Sequence, residues 1–102
     1  MSDAELHMVD GEHFELRGPV IFATAGELLT AGNHLFAGVT EISLDLSKVT
    51  RVDSAALALL IEWLRQANHA DQTLKFTGMP EKLRSIARLT GTEQILEPPP
   101  PA

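Results

Sequence analysis

Asp53 and Ser54 stand side by side immediately ahead of the apolar run Ala55-Ala56-Leu57-Ala58-Leu59-Leu60-Ile61. An acid and a hydroxyl in that place can do two kinds of work. Either side chain can cap the first turn of a helix, which contributes about 1 kcal/mol. The hydroxyl can also carry a phosphate, because the unpaired N–H groups and partial positive charge of a helix N-terminus stabilise an anion. A phosphate on Ser54 would bring roughly −2 of charge. Asp53 would repel it, as would Asp45 if that strand end lies close. Such a charge expels an acidic partner or recruits a basic one, whereas the bare hydroxyl is a small neutral contact.

Little else in the chain has the makings of a reactive site. His7, His13, His34 and His69 never fall at the i, i+4 spacing that puts two ligands on one helix face, so no metal site is expected. There is no glycine-rich phosphate loop and no Gly-x-Ser-x-Gly elbow. The chain contains no cysteine, which removes thiol catalysis and disulfides. Neither catalysis nor a cofactor is expected. Charge narrows the partners further. Eight Lys and Arg against 14 Asp and Glu leave a net charge of −6, with −7 on residues 1–47 and +1 on the remainder. Phosphate backbones and anionic lipid both call for clustered cations, so nucleic acid and direct membrane docking are disfavoured. The acids Asp3, Glu5, Asp10, Glu12 and Glu15 suit a solvated surface or a basic partner. No apolar run reaches the roughly 18 residues of a membrane span, and the acidic start Met1–Glu5 is unlike a signal peptide.

The elements that would position Asp53 and Ser54 follow from periodicity. Leu6–Val9 and His13–Leu16 flank Asp10-Gly11-Glu12, a hairpin pattern. Gly18-Pro19 should then break the strand, leaving Val20-Ile21-Phe22 as a short continuation or an extended entry to a helix. Thr24-Ala25-Gly26-Glu27 has the form of a capping box opening a helix over about 24–37. Gly26 and Gly32 each cost that helix about 1 kcal/mol relative to Ala. Ile42–Ser47 alternates apolar and polar as a half-buried strand does, and Val49 and Val52 continue as an extended connection. Asp53 or Ser54 then caps a helix reaching about His69. Thr73–Thr77 predicts a strand. A third helix, begun at Pro80 and stopped at Gly91, should turn Leu83, Ile86, Ala87 and Leu89 inward. Ile95-Leu96 predicts a short strand or turn, and Pro98–Pro101 an extended tail. Strands alternating with helices predict one α/β domain over 1–97, with 98–102 as a tail.

On a helical wheel Leu57, Leu60, Ile61 and Leu64 make the core face of the long helix, with Ala56, Leu59 and Trp63 widening its apolar arc on one flank. That flank reads either as an edge of the core or as an apolar docking patch that begins at Ser54, buried Trp being favoured in interfaces.

At these residues the chain resembles the STAS family, the sulphate transporter and anti-sigma factor antagonist domains. The likeness runs from about Phe14 to Leu96 and rests on Ile42–Ser47, Val49–Val52 and Asp53-Ser54 opening the long helix. It implies an α/β fold in which a small mixed sheet carries helices on one side, and a binding module rather than an enzyme. In relatives that are anti-sigma factor antagonists a partner kinase phosphorylates the hydroxyl residue after the Asp, here Ser54. The family usually has Gly where this chain has Ala56, a methyl expected to obstruct a kinase backbone. The runs Leu57–Ala67 and Leu83–Gly91 look more like the single-domain STAS subunit of Mla-type ABC transporters, which maintain outer-membrane lipid asymmetry. That resemblance implies a cytoplasmic subunit held at the inner membrane by an ABC ATPase. Asp53, Ser54, Ala55, Ala56, Leu59 and Trp63 would form its partner surface. The alternative it implies is a phosphorylation-switched anti-sigma factor antagonist.

Overall fold

The alternating apolar residues of four strands supply one face of a single sheet, and helices cover it. The structure, a computed structural model, describes residues 3–99. In chain order the elements are β1 (Glu5–Met8), β2 (His13–Val20), α1 (Phe22–Leu35), β3 (Glu41–Val52), α2 (Ser54–His69), β4 (Thr73–Thr77), α3 (Glu81–Thr90) and α4 (Glu93–Leu96). The sheet order is β1-β2-β3-β4, with β1 antiparallel to β2 and the other two pairings parallel. Phe14, Leu16 and Val20 of β2 and Ile42, Leu44, Leu46 and Val52 of β3 bury their side chains beneath α1 and α2. Polar residues such as Glu15, Arg17, Ser43 and Lys75 alternate with the apolar ones, which is the pattern of a sheet packed on one face.

The expected hairpin is present, though its turn is not the glycine-dependent kind. Gly11 has no positive φ. Instead the Asp10 carboxylate accepts from the backbone N–H groups of Glu12 and His13, both at 2.9 Å. Those bonds and the His13 ring hold its carboxyl below the usual carboxylate range.

Gly18-Pro19 does not end the strand. β2 runs on to Val20, because Gly18 takes φ +81° and a Cβ there would meet the backbone of Asp3. Opposite it, β3 carries two extra residues, one between Asp45 and Lys48 and one between Val49 and Arg51. These bulges are why Val49–Val52 belongs to the strand rather than to a connection, and why β3 reaches 12 residues. Asp45 stabilises the first of them by accepting from the Ser47 N–H at 2.8 Å. Nine positions back along a strand from Ser54, it stands too far away to repel a charge there.

Helix α1 begins at Phe22, two residues before the expected capping box. Thr24 is the third helical residue rather than the cap, and its Oγ1 accepts from the Ile21 N–H at 3.1 Å and donates to Pro19 O at 2.8 Å. In α3, Leu83 and Ala87 turn inward and Gly91 ends the helix, as expected. Leu89, however, is 90% exposed. Ile95-Leu96 closes the fold as part of α4, with Leu96 buried and Ile95 largely exposed. Arg84 then clasps Glu97 through two hydrogen bonds of 2.7 and 2.9 Å. Pro98 and Pro99 are exposed, and the rest of the expected tail lies outside the described residues.

Candidate functional site

β2 and β3 are parallel and end together at the Val20–Val52 pair, so α1 and α2 both start at the same edge of the sheet. The carboxyl ends of parallel strands are where α/β folds commonly recruit ligands and partners. Asp53 settles the cap of α2: its Oδ1 accepts from the Ala55 N–H at 2.8 Å. Its Oδ2 accepts from the Phe22 N–H at 3.0 Å, the first amide of α1. One half-buried carboxylate thus serves two helices, and both oxygens are engaged by backbone.

Below Asp53 the two helices part to leave a shallow groove of about 610 Å³, lined by Phe22, Ala25, Gly26, Leu29, Ser54, Ala55, Ala58, Leu59 and Glu62. Small residues make much of the lining, and Phe22 stands beside it with 87% of its surface exposed. Together with the apolar groove it makes a contiguous apolar patch, and such patches mark contact sites more often than scattered single residues do. Ser54 is exposed, and its hydroxyl has no hydrogen-bond partner among the described residues. Glu62 is the single charge in the lining. The Arg65 guanidinium, through two bonds of 2.8 and 2.7 Å, and the Gln66 amide lower its carboxyl to about 2. A carboxyl that acidic is a poor proton acceptor near neutral pH.

Of the expected partner surface, Ser54, Ala55 and Leu59 do border this groove, Leu59 as part of its floor. Ala56 and Trp63 do not. They are 1% and 2% exposed and form, with Leu60 and Ala67, the stripe of α2 that faces the core. The core face is therefore turned toward the flank that the wheel left open as a core edge or a docking patch, while Ile61 and Leu64 are only partly buried beside it. This phase also removes the expected obstruction at Ala56: its methyl points inward, away from anything that approaches Ser54. Trp63 packs edge-on against Phe36, which packs edge-on against Phe14, at centroid distances of 5.4 and 4.9 Å.

Sequence reasoning missed Phe22, because Val20-Ile21-Phe22 reads as a short strand continuation or an extended entry to a helix rather than as a helix start. The available hint was the run of small residues that follows it, Ala23-Thr24-Ala25-Gly26, which suits a helix wall open to a partner. Among the described residues no group of three or more His, Cys, Asp or Glu is placed to hold a metal ion, and no helix is long and apolar enough to cross a membrane.

Comparison with known proteins follows the same lines. The family described as "Mlab, STAS domain" matches residues 8–97. No curated protein matches the sequence. Among solved structures, a putative anti-sigma factor antagonist from Thermotoga maritima superposes with a TM-score of 0.74 at 21% identity, covering 91% of this chain and 82% of that one. The anti-sigma factor antagonist SpoIIAA, in its unphosphorylated form, gives 0.71 at 15% identity over 91% of this chain and 84% of that one. The crystal structure of Mglu gives 0.62 at 23% identity over 76% of this chain, which spans only 20% of Mglu's length. At these identities the structures establish the fold: a four-stranded mixed sheet with helices, as in the anti-sigma factor antagonists.

Proposed function

This chain belongs to the STAS domain family, and we propose from that premise that it is a non-catalytic accessory subunit of a phospholipid-transporting ABC transporter of the Mla type. In this reading it lies in the cytoplasm, peripheral to the inner membrane, and binds the transporter's ATPase subunit, which it stabilises or regulates. The observation that carries the proposal is the apolar groove between α1 and α2, with the unpartnered Ser54 hydroxyl on one side and exposed Phe22 on the other. A groove with small side chains in its walls lets a partner's backbone come close, and its single carboxylate is occupied by Arg65 and Gln66. That is the make-up of a docking surface rather than of a reaction centre. The family description that matches residues 8–97 supports the choice of partner.

The test is co-purification of the chain with the Mla-type ATPase of its own cell. Ser54→Ala should weaken the complex modestly. Ser54→Arg should abolish it, because a long cation cannot be accommodated where the partner closes on the groove. Retained binding by a folded Ser54→Arg variant would place the surface elsewhere.

The second reading, a phosphorylation-switched anti-sigma factor antagonist, is favoured by the superpositions on that class. It uses the same groove and the same exposed hydroxyl. Intact-mass spectrometry of the protein recovered from cells separates the two: stoichiometric phosphate on Ser54 that reverses on stress belongs to the switch, and an unmodified Ser54 with an ABC ATPase bound belongs to the transporter.

A further inference from the structure

The first amide of α1 has no local cap. Ile21, the residue before the helix, offers no side-chain acceptor, and Thr24 Oγ1 is turned back to the Ile21 N–H. An orphan N–H at a helix start must find an acceptor elsewhere. Phe22 finds it 31 residues away, on Asp53 Oδ2, while Asp53 Oδ1 holds the Ala55 N–H of α2. Two helix N-termini, each with partial positive charge, therefore converge on one carboxylate.

We infer that Asp53 is the positioning residue of the groove: its two oxygens clasp the first turns of α1 and α2 and so fix Phe22 and Ser54 at their places along it. The inference rests on the reading of the groove as a docking surface. A carboxylate is required because two acceptors are needed at once. Asparagine offers one oxygen and an NH₂ group. In Asp53→Asn the oxygen keeps the Ala55 N–H, since Asn is as good an N-cap as Asp. The NH₂ then faces the Phe22 N–H, donor against donor. The substitution cuts the tie to α1 and spares α2.

Amide hydrogen exchange of the full chain, followed residue by residue by NMR, reads this directly. Loss of a charge-assisted bond should speed exchange at Phe22 and its neighbours in the first turn of α1 by roughly tenfold or more, with protection at Ala55 and through α2 unchanged. Asp53→Ser, a second N-cap with one acceptor, should give the same split. Equal loss at Phe22 and Ala55, or no loss at Phe22 in either variant, would overturn the clasp. Binding to the Mla-type ATPase supplies the second readout. Asp53→Asn should weaken it although Ser54, Ala55 and Leu59 are untouched. Selective exchange at Phe22 with full-strength binding would refute the positioning role. Failure of the docking reading itself has a different signature, namely that Ser54→Arg also binds normally.

Discussion

Gly26 and Gly32 lie in the same helix, and the same substitution should move stability in opposite directions at the two. On propensity alone each Gly→Ala change gains about 1 kcal/mol in a helix interior. At Gly32 that gain meets the indole of Trp63. A Cβ there would fall 2.8 Å from Cε2 and 3.0 Å from Cζ2, and closer still to Nε1, where ordinary contact begins near 3.4 Å. The ring must yield by about half an ångström or more. It has little room to do so, because it is 2% exposed and backed by Phe36 and Phe14. Overpacking of a rigid core costs about 1–3 kcal/mol, and this site belongs in the upper part of that range. The net effect of Gly32→Ala is then a loss of about 1–2 kcal/mol, or roughly 4–16 °C in Tm for a domain of this size. At Gly26 an added Cβ meets nothing within 4 Å, so Gly26→Ala should gain up to about 1 kcal/mol. Urea unfolding followed by the fluorescence of Trp63, the chain's single tryptophan, measures both variants. A Gly32→Ala midpoint at or above that of the parent, with an unchanged slope, would refute the close-packed seam. Because Gly26 lines the groove, its more stable variant should also bind the proposed ATPase partner less well, with the new methyl standing in that partner's path.

Two further expectations come from the surface. Phe22→Ser removes an aromatic that is 87% exposed, so stability should change by no more than about 0.5 kcal/mol while ATPase binding, measured by calorimetry, falls. The fork between Arg84 and Glu97 holds the Glu97 carboxyl below its ordinary value of 4.5 in the folded protein. Its contribution is therefore complete above that pH and is lost as the pH falls through the lower, folded-state value. Acid unfolding curves should show the parent losing this increment below pH 4.5, and Glu97→Gln, which cannot gain or lose the proton, should lack that part of the acid dependence.

What the sequence made legible was local. The alternation of Ile42–Ser47, a cap of α2 at Asp53 or Ser54 and the Gly91 stop each depend on neighbours within a few residues, and each is found, the cap being Asp53. What it hid depends on distant partners. The start of α1 was unreadable because its cap comes from Asp53, 31 residues away. The phase of α2 likewise depends on distant partners. Leucines dominate a helical wheel, but the stripe nearest the sheet and α1 is set by Ala56, Leu60, Trp63 and Ala67, where a small residue admits close approach and one large ring fills the gap. Leu89 looked like core because its spacing fits α3, yet nothing covers that part of the helix. The groove is only half visible in the sequence for the same cause: its α2 wall, Ser54, Ala55 and Leu59, can be read from a single helix, while Phe22 enters only when α1 is laid beside it.

The seam between α1 and α2 explains how such a small chain can present an open apolar surface without collapsing onto it. At the N-terminal end the helices are held by Asp53, a polar clasp of two hydrogen bonds. Ten residues further along α1, Gly32 lies directly on Trp63, whose indole N–H is buried there with no acceptor among the described residues. The ring fills the space between α1, α2 and Phe36. Fixed at both points, the helices cannot close over the stretch between them, which is lined by Ala25, Gly26, Ala55 and Ala58. Side chains that small cannot meet across the gap. An open groove with rigid ends demands little reordering when a partner enters, and preorganisation of that kind is worth affinity without added contact area. The two fixed points should accordingly fail in different ways: loosening Asp53 alters binding with little loss of stability, whereas crowding Gly32 lowers the stability of the whole domain.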